Sequence, residues 1–200
     1  MLFAIALFLA QAVTDLSATR HTDPVPSELS APIAAQLSPG GVRASVGVNT
    51  LTFWFVKDLG AAAWSGVKEG TLVGAAKIEK DFRDIRGRVV KAGTFTLRYG
   101  IQPANGDHLG VSPYREFLLL SPAALDADPA PRGHDGTVEL SKEAIGGSHP
   151  AVLSIDPPVA AAAPLAVTTT DLGHKAIVLE VPAAGASLRF GLVLIGKIEA

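Results

Sequence analysis

The residues best suited to chemistry gather in one polar loop. Between Gln102 and Arg115 the chain carries Asp107, His108, Tyr114 and Arg115: an acid, an imidazole, a phenol and a guanidinium. Such a mixture suits a ligand-facing loop, since firm flanking elements fix its ends and leave its side chains free to meet a ligand. Asp107 and His108, with His149 before Pro150, also form a set of oxygen and nitrogen donors suited to a divalent metal ion. The structural alternative is that Asp107 caps the Asn105-Gly106 turn through backbone hydrogen bonds, with both histidines as loop residues. No cofactor other than that metal is implied.

The remaining candidates are weaker. The five histidines (His21, His108, His134, His149 and His174) show no H-x-H or H-x-x-x-H spacing, so no local metal motif exists. Asp126, Asp128 and Asp135 loosely resemble a calcium loop but lack the glycine and terminal glutamate of an EF-hand, which favours a plain solvated loop. Trp54, Trp64, Tyr99 and Tyr114 are a conceivable aromatic platform for a sugar or peptide, and Trp64 and Tyr114 are its two loop members. Serine is plentiful, but no G-x-S-x-G elbow frames a nucleophile, so the expected function is an exported binding or structural module, with a metal-binding protein or metal-dependent enzyme using Asp107, His108 and His149 as the alternative. The absence of cysteine removes thiol catalysis, disulfides and thiolate metal sites.

The elements that must position these residues read as strands. Thr94 to Ile101 alternates, with Phe95, Leu97, Tyr99 and Ile101 on one face and Thr94, Thr96 and Arg98 on the other. Phe117 to Leu120 is a continuous apolar run that suits a strand buried on both sides. On this reading Arg98 pairs with Glu116 across the two strands. Further strands are expected at Val42–Val48, Asn49–Val56, Thr71–Ile78, Ala151–Ile155, Leu165–Thr170, Lys175–Val181 and Ser187–Ile198. Lys77 to Lys91, with six basic and three acidic residues, reads as a solvated edge or turn. Only Ser141 to Ile145 suggests a helical turn, with Ser141 as its N-cap. Twenty glycines and fourteen prolines agree with many short strands and turns. The expected fold is all-β: an antiparallel two-sheet sandwich or jelly roll of about nine or ten strands, with a closed barrel as runner-up. One core is expected to hold Phe53, Phe95, Leu97, Phe117 and Phe190.

At the N-terminus, Leu2 to Leu9 is an uninterrupted apolar run followed by Ala10-Gln11-Ala12, a small-x-small cleavage pattern. The run falls well short of the ~20 residues of a membrane span. Residues 1–12 are therefore expected to be a signal peptide, 13–41 an extended Pro-rich arm, and 42–200 a single β-sandwich domain. No membrane span then remains after cleavage, and the mature chain is periplasmic or extracellular. A net charge of −2 gives no case for nucleic acid. The expected partner is an unidentified protein or carbohydrate ligand.

The phrase GTFTLRYGIQPANGDHLGVSPYREFLLLSPA, with WFVKD upstream and SHPAVLSI downstream, resembles a group of uncharacterised exported β-rich proteins of environmental bacteria. The resemblance spans Leu51 to Ile155 and implies export and a β-rich domain. It carries no activity and no binding residues.

Overall fold

The computed structural model describes residues 15–103, 114–156 and 162–196 of the chain. The expected signal peptide and the pair Asp107 and His108 lie outside the described residues.

Alternation becomes strand almost wherever it was seen. In chain order the strands are β1 (Leu16–His21), β2 (Gly41–Val46), β3 (Asn49–Phe55) and β4 (Leu72–Ile78). The short β5 (Phe82–Arg83) and β6 (Val89–Val90) form a separate hairpin, and β7 (Gly93–Ile101) and β8 (Glu116–Pro122) follow. The last four are β9 (Val152–Asp156), β10 (Val167–Thr169), β11 (Lys175–Ala183) and β12 (Ala186–Ile195). Two helices interrupt them: α1 (Ala31–Gln36) and α2 (Gly133–Lys142). Residues 13–41 were expected as an extended arm or tether with room for an edge strand; β1 is an edge strand that pairs along its whole length with β2, and α1 buries Ile33 completely.

Ten strands form one antiparallel sheet in the order β1-β2-β3-β4-β7-β8-β9-β12-β11-β10, beside the two-stranded β5–β6 ribbon. The two-sheet sandwich is therefore corrected. The large sheet is continuous and curls until β1 comes up against β10 and β11, a nearly closed, barrel-like architecture. Accumulated strand twist is the physical reason, because open sheets of about this size curl or split.

Period two sorts the apolar residues onto the two faces. The inner cluster includes Phe53, Phe95, Leu97, Tyr99, Leu118, Leu120, Leu153, Ile177 and Phe190. Their neighbours along the same strands, Phe117, Leu119, Val152, Ala176 and Val193, form an outer cluster with Ile85 from the β5–β6 hairpin. Phe117 thus leaves the core it was assigned to and packs on the opposite face. The doubly buried run read at Phe117–Leu120 falls within β8, and all four of its residues are buried.

Candidate functional site

Arg98 builds the platform on which the site stands. It lies on the outer face of β7 and is fully buried, beneath the turn from Ala123 to Arg132. Its Nε and Nη2 donate to the two carboxylate oxygens of Asp126, at 2.6 and 2.8 Å. Nη1 donates to the carbonyls of Gly70 at 2.6 Å and Ala130 at 3.0 Å, and Nη2 also donates to the carbonyl of Asp128. The cross-strand pair with Glu116 is therefore corrected, since the register sets Arg98 opposite Leu119 and Glu116 opposite Ile101.

Asp126 is likewise no solvated calcium-loop residue. It is fully buried and accepts from Arg98, from the hydroxyl of Thr96 and from Arg132. Burial pushes its carboxyl upward, but the hydrogen bonds and charges of Arg98, Thr96 and Arg132 outweigh that and hold it below the usual range.

This clamp delivers the chain to α2. The polar stretch containing His134 and Asp135 was read as loop, with one helical turn beginning at Ser141; instead the helix spans Gly133–Lys142 and Ser141 lies near its end. Ser141 is not an N-cap. Its hydroxyl donates at 2.8 Å to the carbonyl of Leu120 and accepts from the amide of Ala151, tying the last helical turn to β8 and the approach to β9. Gly70 makes room at the other end: a Cβ there would sit 2.6 Å from the backbone nitrogens of Arg132 and Gly133, and its φ is +79°.

Beside α2 lies a hollow of about 250 Å³. Phe117, Val138 and Val152 supply an apolar floor, while Arg86, His134, Lys142 and His149 supply polar groups. His134 Nδ1 stands 2.9 Å from Oε1 of Glu69, which also accepts from the amide of Ile101 at 2.9 Å. A carboxylate only accepts, so Nδ1 carries a proton and Nε2 is the ring nitrogen left to a ligand. His149 is exposed and has no hydrogen-bond or ion-pair partner among the described residues.

Arg86 reaches the hollow from the β5–β6 hairpin. The hairpin is braced by Asp84, whose Oδ1 accepts from the amides of Arg86 and Arg88, both at 2.9 Å. Burial and the charge of Arg88 hold the Arg86 guanidinium below its ordinary range, against the opposing pull of Asp84. The run Lys77–Lys91 is thus only partly solvated, since Phe82, Asp84, Ile85 and Val90 are buried.

Of the expected site residues that are described, the structure brings His149 alone to this hollow. Arg115 lies at the base of its loop, donating twice to the carbonyl of Gln102 at 2.9 and 2.7 Å. Tyr114 is exposed beside it. Trp64, read as exposed, stacks on Tyr99 with ring centroids 5.5 Å apart and meets Phe190 edge-on at 5.3 Å. Among the described residues no group of three or more His, Asp or Glu is arranged to hold a metal ion.

Arg86, Glu69, His134 and Lys142 were missed as site residues. Glu69 and His134 lie 65 positions apart, so no local spacing could signal the dyad. A second hollow, of about 290 Å³, lies at the seam of the barrel with Arg20 and Glu180 in its lining. Glu180 is already neutralised by Arg189 at 2.7 Å, which leaves Arg20 as the other charged residue of the described lining. Among the described residues no helix is long and apolar enough to cross a membrane. Comparison with known protein families, characterised proteins and solved structures finds no match to this chain.

Proposed function

We propose that the chain is an exported binding module that takes a small ligand in the hollow beside α2. The carrying observation is the hollow itself: an apolar floor rimmed by convergent imidazoles and cations, the general form of a ligand site. Its volume lies just under the roughly 300–1,000 Å³ of sites for drug-sized ligands, which favours a small molecule over a protein segment. Export rests on the apolar run Leu2 to Leu9 with Ala10-Gln11-Ala12, and on the resemblance to exported proteins. The engagement of Trp64 with Tyr99 and Phe190 takes it out of any carbohydrate platform.

Nuclear magnetic resonance of the labelled protein during a fragment screen tests the site. Hits are expected to perturb amides of α2 and the Ser148–Val152 segment; hits scattered elsewhere would leave a structural module as the better reading. Mass spectrometry of the exported protein is expected to find a chain beginning at Val13, and an intact Met1 in that fraction would defeat the export proposal.

A further inference from the structure

Resting on that reading, we infer that the ligand is a small organic anion: a carboxylate headgroup met by His134, His149 and Lys142, with an apolar body on Phe117, Val138 and Val152.

Charge decides the headgroup. The described lining contains the cations Arg86 and Lys142 and two imidazoles, and no aspartate or glutamate. The nearby carboxylates are turned to other work. Glu69 is occupied by His134 Nδ1 and the amide of Ile101. Glu139 pairs with Lys142 at 2.5 Å, but its side chain is 70% exposed. A surface pair three residues apart on a helix contributes little, so the ammonium is readily recruited by an anion. Nε2 of His134 and both ring nitrogens of His149 have no partner among the described residues, so an incoming oxygen displaces no protein contact; Lys142 and His149 supply the N–H donors, and His134, whose Nδ1–H is held by Glu69, adds one at Nε2 only as the imidazolium. Charge-assisted hydrogen bonds of this kind are about twice as strong as neutral ones.

The floor decides the body. A bare inorganic ion would leave Phe117, Val138 and Val152 uncovered, whereas a short hydrocarbon removes that area from water at ~25 cal/mol per Å². About 250 Å³ admits a chain or ring of a few carbons but not a long acyl tail.

The test titrates the labelled full-length mature chain with hexanoate and, separately, with hexanamide, which keeps the body and removes the charge. Hexanoate is expected to shift the His134, Val138, Lys142 and His149 resonances and to bind at least ~10-fold more tightly than the amide, the effect of one charge-assisted contact. The double variant Lys142→Gln/His149→Gln is expected to lose at least ~10-fold in hexanoate affinity by the same reasoning. Both side chains are polar and at least partly solvent-accessible, so its melting temperature is expected to be unchanged. Equal binding of acid and amide at these residues would overturn the anion inference and leave the ligand site standing. Perturbation by neither compound would overturn the inference, and neutral fragments that also miss these residues would take the site with it.

Discussion

All five N–H donors of Arg98 are used, and the acceptors come from Gly70, Asp126, Asp128 and Ala130. A buried cation so placed depends on its counter-ion. Asp126→Ala is expected to cost ~3–5 kcal/mol in urea unfolding, because it strands the guanidinium without its charge partner. Arg132→Ala removes a cation from the same carboxylate but from a side chain one-third exposed, and its cost should stay under ~1 kcal/mol. Asp156 is a different kind of buried acid. It lies on the outer face of β9 with neither oxygen bonded, and burial raises its pKa to about 6 from 3.8. Between those values the folded chain binds a proton that the unfolded chain has released, so stability falls as pH rises from about 4 to about 6 and stays reduced above. Asp156→Asn should therefore stabilise the protein at pH 7, by ~3 kcal/mol at most, and change little at pH 3. His174 works the other way. Burial lowers its pKa, so the stability of its neutral form is present above its ordinary titration range and lost as pH falls through it. Thermal melts of the parent protein and of Asp156→Asn across pH check the two signs.

The strands were legible because burial on a sheet repeats every two residues, and Phe95-Leu97-Tyr99 and Leu188-Phe190-Leu192 display that period openly. The helix α2 was not. It begins with Gly133, includes Gly136 and Thr137, and its N-cap Arg132 makes no side-chain capping bond, so local propensity argues against it. Tertiary contacts override propensity there: Ser141 to Leu120 and Ala151 at one end, and the Arg98 clamp at the other. Among the described residues the hollow was legible only at His149, since Glu69, Arg86 and His134 converge through the fold and share no motif. One turn can be improved from its backbone alone. Ala183 faces Ala186 across the β11–β12 hairpin, and the intervening Ala184 and Gly185 have φ of 45° and 81°. Both positive values mark a type I′ turn, which favours Asn-Gly. Ala184→Asn should raise stability by ~0.5–1 kcal/mol in denaturant unfolding, by removing left-handed strain from an alanine.

At the scale of the whole molecule, alternation could not distinguish a sandwich from a barrel, because both bury every second residue. Only the pairing order shows one sheet whose ends nearly meet. The seam is closed by proximity of β1 to β10 and β11, without a ladder between the edges. Amides along β1 and β10 should therefore exchange with deuterium well before those of β7 and β8, which are paired on both sides. Uniform protection around the barrel would contradict this. The Arg98 clamp also bears on the order of folding events. Three of its four acceptor residues, Asp126, Asp128 and Ala130, lie roughly thirty residues further along the chain, on the turn that follows β8, so the clamp closes only after β7 and β8 have paired. Stopped-flow measurements on Asp126→Ala should then find refolding almost as fast as in the parent protein and unfolding greatly accelerated. The buried ion pair would act as a latch on the finished barrel, setting how long each molecule survives rather than how quickly it forms.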